Sequence, residues 1–170
     1  LLFEFEDTIE LLPKRFSVFK ARAQESMRGL PFGLIRDLFS FYFEILETDS
    51  QAIARGKLVA GIIQLTANTV NSFNENGRTE QKAHFIGQLI GFDFSESAYL
   101  KAILDDEKQV QQRAMRYAAD FFVAVSETTP LILYLDDLHW ADDSSLDFIN
   151  LIEESCADRP IMIVETARPS

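Results

Sequence analysis

Five apolar residues, Leu131-Ile132-Leu133-Tyr134-Leu135, run straight into two adjacent carboxylates, Asp136 and Asp137. A run so short and so apolar predicts a strand buried on both faces, as in a parallel sheet. Charge is costly inside such a layer, so the two aspartates are expected where the strand emerges at its carboxyl end. Open α/β sheets bind ligands at that end. Paired acids there suit a nucleotide site: one can hold a hydrated magnesium ion, and the other can orient or deprotonate a water molecule. The phosphate side of such a site needs a glycine-rich loop followed by Lys and Ser or Thr. Nothing in the chain fits that pattern, because Gly56-Lys57 is followed by Leu58 and preceded at the required spacing by Gln51.

The chain of 170 residues is long enough for one domain with a sizeable core. Its 15 phenylalanines predict a bulky, aromatic-rich interior. A formal charge of -11 argues against a nucleic-acid backbone as partner and against docking on anionic lipid, and reads most simply as solubility. The lone Cys156 excludes an internal disulfide framework and a cysteine metal cluster, and makes the reducing cytoplasm the expected compartment. The greasiest stretch, Leu38 to Leu46, is interrupted by Glu44 and is too short for a membrane span. The chain begins without Met inside an amphipathic pattern and stops just after a strand. Both ends therefore read as cut from a longer protein.

Periodicity sets out the rest. Residues 1–12 read as a helix stopped by Pro13, and Phe16 to Ala23 as a strand. Residues 29–33 read as a loop and 34–46 as a helix rich in Phe. Asp49 or Ser50 caps a helix expected to run from Gln51 to about Phe73, and Asn74 to Gly77 form a turn. Further helices are expected over 80–90, ended by Gly91, over a short piece at Tyr99 to Leu104, and over 107–125. Thr128, Thr129 and Pro130 break the last of these before the Leu131 strand. A helix over about 145–156 and a strand at 160 or 161 to 165 complete the order. Strands separated by helices favour a parallel sheet with right-handed crossovers. The helical block between the first two strands is too long for one crossover and predicts an inserted subdomain.

Leu131 to Asp142, read as LILYLDDLHWAD, resembles the Walker B segment of the signal-transduction ATPases with numerous domains, in the branch with an LxDDLHWAD signature. The likeness continues through Ser144-Ser145-Leu146 and through Val164 to Pro169, where those ATPases end the next strand with a similar Arg-Pro pair. Residues 19–23 and 30–32 resemble the family's preceding strand and loop, and residues 82–87 resemble copies in large bacterial proteins. There the ATPase often sits between a nucleotide cyclase or kinase domain and tetratricopeptide-like repeats.

The resemblance implies an α/β fold: a partial three-layer P-loop NTPase domain of the ASCE type. Three parallel strands lie side by side, with a helical insertion between the first two. Residues 1–48 would follow the missing phosphate loop, 49–127 would form the insertion, and 128–170 would carry the Walker B strand, a helix and the sensor strand. It implies ATP and magnesium as ligands of the intact domain. Asp136 would hold magnesium through water, Asp137 would polarise the attacking water, and Arg168 would read the γ-phosphate, a task suited to a permanently charged multiple donor. The partners implied are other domains of the same chain, a cyclase or kinase and helical repeats, with no nucleic acid and no membrane. The piece itself is expected to be inactive. Its apolar strand Ile161 to Val164 would expose an edge open to self-association.

Each residue also has a plainer reading. The Asp pair could be a turn and helix cap. His139 reads as a packed loop histidine rather than a proton relay, and Trp140 as an anchor beneath the loop. Asp142, Asp143 and Ser144 read as helix capping and first-turn charge. Arg22 follows a strand and attracts no chemical role, and His84 lacks a second ligand at metal spacing. The alternative function is an interaction module whose nucleotide chemistry is vestigial, carried by the helical block 51–127.

Overall fold

A computed structural model of the chain describes residues 16–69, 73 and 78–168. The helix expected over 1–12, the turn expected over 74–77 and Pro169 lie outside the described residues.

Three strands form one parallel sheet: β1 (Ser17–Arg22), β2 (Leu131–Asp136) and β3 (Ile161–Glu165), in the order β1-β2-β3. Ser17 pairs with Leu131 at one end and Arg22 with Asp136 at the other, while Leu131 pairs with Ile161 and Leu135 with Glu165. The central strand is the apolar run, and Leu131, Ile132, Leu133 and Leu135 are all buried. Strand β3 lies at one edge of this sheet, with Met162 exposed.

Among the described residues, four α-helices, α1 (Gly33–Tyr42), α2 (Gln51–Thr66), α3 (Thr79–Leu89) and α4 (Glu107–Ser126), lie between β1 and β2. A fifth, α5 (Asp143–Ser155), crosses from β2 to β3. Their ends follow local chemistry. The Ser50 hydroxyl accepts from the Ile53 N–H at 3.3 Å to start α2, and the Asp106 carboxylate accepts from the Gln109 N–H at 3.0 Å to start α4. Beyond α3 the chain reverses at Gly91 with φ +82, and Arg36 donates to the carbonyls of Ile90 and Gly91.

Three expected helices change. The helix expected to reach Phe73 ends at Thr66, where the Thr69 hydroxyl donates to the Thr66 carbonyl at 2.8 Å. The helix expected to reach Leu46 ends at Tyr42, and Glu44 takes a left-handed conformation. Tyr99 to Leu104 is a run of turns rather than a helix, with the Ser97 carbonyl accepting from both Leu100 and Lys101.

The phenylalanines account for the core. Phe19 of β1 stacks on Tyr42 with ring centroids 3.8 Å apart and meets Phe121 and Phe122 of α4 edge-on. Phe39 of α1 packs against the same pair. The buried cluster continues without a break through Ala54, Leu58 and Ile62 of α2 and Ile86 of α3, so the helical block shares one core with the sheet. No helix among the described residues is long and apolar enough to cross a membrane.

Two helical glycines make a paired prediction. A Cβ on Gly87 would fall 2.1 Å from Phe94 and 3.0 Å from Leu58, whereas one on Gly56 would meet nothing within 4 Å. Gly87→Ala is expected to destabilise the fold by about 2 kcal/mol, because overpacking outweighs the gain in helix propensity. Gly56→Ala is expected to stabilise it by up to about 1 kcal/mol. Urea denaturation of both variants checks the difference in sign.

Candidate functional site at the carboxyl rim of the sheet

All three strands run in parallel, so their carboxyl ends share one rim. Arg22 closes β1 directly beside Asp136 at the end of β2. Just past β3, the Thr166 N–H donates to the Leu135 carbonyl and the Thr166 carbonyl accepts from the Leu138 N–H, which ties the β3 exit to the loop after β2.

In a regular strand two successive aspartates would point to opposite faces. Here Asp137 leaves the strand with φ 58 and ψ 39, a left-handed conformation that aspartate tolerates better than most residues. The turn brings both carboxylates to one cation, the guanidinium of Arg22. Its Nε and Nη2 donate to Asp137 Oδ2 at 2.9 and 2.7 Å, and its Nε lies 3.5 Å from Asp136 Oδ2. The Thr166 hydroxyl holds the acids from the other side, donating to Asp136 Oδ1 and accepting from the Asp137 N–H at 3.0 Å.

The electrostatics follow from these contacts. The hydrogen bond from Arg22 holds the Asp137 carboxyl below the usual carboxylate range, against burial, the next-largest influence, which pushes it up. The charges of Arg22, His139 and Arg168 act in the same direction. Behind the rim, the Arg22 N–H donates to Asp37 of α1 at 2.9 Å, and burial pushes the Asp37 carboxyl up. His139 Nδ1 lies 3.9 Å from Asp137 Oδ1, and its ring packs on Trp140 at 5.0 Å. The Arg28 guanidinium sits 5.0 Å from the centroid of the Trp140 ring.

Beneath the loop, Asp142 starts two helices at once. Its carboxylate caps α5 by accepting from the Ser145 N–H at 2.9 Å and the Ser145 hydroxyl at 2.6 Å. The same two oxygens accept from the Phe32 and Gly33 N–H groups at the start of α1, at 2.9 and 3.2 Å. Phe32 is held there in a left-handed conformation, φ 60.

Asp136 and Asp137 thus converge. Arg168 lies exposed three residues beyond β3, near enough for its charge to act on Asp137. Two rim residues escaped the sequence reading. Arg22 attracted no role, yet it is the cation shared by both acids; pairing the last residues of neighbouring strands would have found it. Thr166 was visible only as part of a strand exit.

A divalent cation fits the chemistry of this rim, since the pair already holds a positive group within hydrogen-bond distance. Among the described residues there is no cluster of three or more His, Cys, Asp or Glu side chains placed to hold a metal. Asp136 and Asp137 are the two side chains at this rim that could hold a cation.

No protein-family profile and no solved structure matches the chain. Over 66 residues, 39% of its length, the chain is 30% identical to an uncharacterised protein of Rhizobium meliloti. The chain spans about 6% of that curated relative's length.

Proposed function

We propose that this chain is the magnesium-side part of an ATP-binding and hydrolysing regulatory domain. The domain would be of the P-loop type found in signal-transduction ATPases with numerous domains, within a cytoplasmic multidomain bacterial signalling protein. ATP binding in the intact protein would set the state of an attached effector such as a nucleotide cyclase or kinase, and slow hydrolysis would reset it.

The observation that carries this reading is the convergence of Asp136 and Asp137 on one cation at the carboxyl end of the central strand. Magnesium held by Asp136 and its water shell would supply positive charge against that developing on the phosphate. Asp136, oriented by the Thr166 hydroxyl, would hold the ion's water shell. Asp137, turned out of the strand, would orient and deprotonate the attacking water. Arg168 would donate to the terminal phosphate from the neighbouring strand end.

Calorimetry of magnesium-dependent ATP binding tests the reading. It compares this chain with one extended upstream by about forty residues of its natural sequence, enough for a strand and a phosphate loop. Binding by the extended chain alone, lost on Asp136→Ala, is the expected result. Absence of binding in both would sink the ATPase reading in favour of an interaction module.

A further inference from the structure

We propose that Arg22 is a resident counter-ion of the Asp136–Asp137 pair, which keeps the two carboxylates together and must be displaced before a divalent cation can bind them. The inference rests on reading these acids as the magnesium side of the site, and it assigns a positioning role to a residue of β1.

Three observations carry it. The guanidinium reaches both acids, 2.7 Å from Asp137 Oδ2 and 3.5 Å from Asp136 Oδ2, while Thr166 takes the other Asp136 oxygen, Oδ1. The Asp137 oxygen that takes both Arg22 hydrogen bonds, and the Asp136 oxygen that faces Arg22, would also be the oxygens nearest a shared ion. A hydrated magnesium ion and a guanidinium repel each other and cannot both fill that space. Finally, the Arg22 side chain is 65% exposed, while those of Asp136 and Asp137 are 20% and 17% exposed. The acids are fixed by the Thr166 hydroxyl and the left-handed turn, so the arginine is the partner free to swing into solvent. An exposed ion pair is weak, and a doubly charged ion can outcompete it.

With Arg22 in place the cluster carries one net negative charge instead of two and holds its geometry without metal. Removing the guanidinium leaves two uncompensated carboxylates already turned toward one point. Magnesium affinity of the 170-residue chain should therefore rise when Arg22 is neutralised.

Calorimetric titration with magnesium chloride, repeated with manganese, compares the wild-type chain with Arg22→Gln and Arg22→Lys. Arg22→Gln is expected to bind at least about tenfold more tightly, consistent with removal of one close like charge. Arg22→Lys, which keeps the charge, is expected to stay within about threefold of wild type. Adding Asp136→Asn to Arg22→Gln is expected to remove the gain. Wild-type affinity in Arg22→Gln, with thermal unfolding showing it folded, would overturn the proposal.

A second readout needs no variant. Magnesium added to the wild-type chain is expected to move the Arg22 Nε–H NMR resonance toward that of a solvated arginine, in step with saturation. An unmoved resonance at saturating magnesium would equally overturn it. The latch and the ATPase reading fail separately. Tighter magnesium binding by Arg22→Gln, without ATP binding by the extended chain, keeps the latch and sinks the ATPase. Asp136-dependent ATP binding with unchanged magnesium affinity does the reverse.

Discussion

Asp142→Ala is expected to destabilise the chain by about 3 kcal/mol, the sum of one lost helix cap and one backbone N–H group, that of Phe32, left buried without an acceptor. The carboxylate is buried, with 8% of the residue exposed, and accepts from Phe32, Gly33 and Ser145. Alanine would leave the Phe32 donor facing a void, because Phe32 itself is buried and water has little access, whereas the Gly33 N–H keeps the Leu30 carbonyl at 3.0 Å. Asp142→Asn keeps one acceptor oxygen but turns an amide toward N–H donors, so it is expected to cost roughly half as much. In a chain of this size the alanine variant should melt about 10 °C lower. A loss under about 1 kcal/mol in urea denaturation would show that the cap is dispensable.

The consequence reaches the rim. Asp142 fixes the start of α1 against the start of α5, and Asp37 of α1 accepts the Arg22 N–H. The loop from Asp137 to Ala141 is thereby suspended between anchored ends: Thr166 above and Asp142 below. The placement of the two acids is a property of three strand ends and two helix starts, not of the loop alone.

That dependence marks where the sequence was legible. Strand β2 announced itself because a run of apolar residues ending in two acids has few other places to go. The capping role of Asp142 toward α5 was legible from its position ahead of an apolar-periodic stretch. Its hold on Phe32 and Gly33 was not, because those partners lie 110 and 109 positions away. Arg22 was missed for the same reason: its neighbour in space is 115 positions distant, and only the parallel register brings them together. The false helix at 99–104 has a different cause. Leu100, Ile103 and Leu104 sit at helical spacing, and successive three-residue turns present the same side chains to the core. The overlong helix at 51–73 followed an apolar pattern, whereas Thr69, through its hydroxyl, supplied the stop. The wealth of Phe foretold an aromatic core, but the β1–α1–α4 arrangement around Phe19 depends on contacts that composition does not encode.

In the upstream-extended chain, Asp137→Asn is expected to lower ATP turnover at least about 100-fold, far out of proportion to any change in magnesium-dependent ATP binding. The amide has nearly the shape of the carboxylate, and asparagine, like aspartate, tolerates the left-handed conformation this position requires. The Thr166 hydroxyl can still accept the backbone N–H of residue 137, so the loop should keep its path. What the amide cannot do is take a proton from water. Asp136→Asn should behave in the opposite way, weakening binding before it affects the chemical step, because the Asp136 carboxylate is assigned to the ion. Single-turnover hydrolysis and equilibrium binding, measured side by side on the two variants, separate these roles. Turnover within about threefold of wild type in Asp137→Asn would remove Asp137 from the chemistry. The convergence of the two acids on Arg22 would then be a structural ion pair that ties β1 to β2.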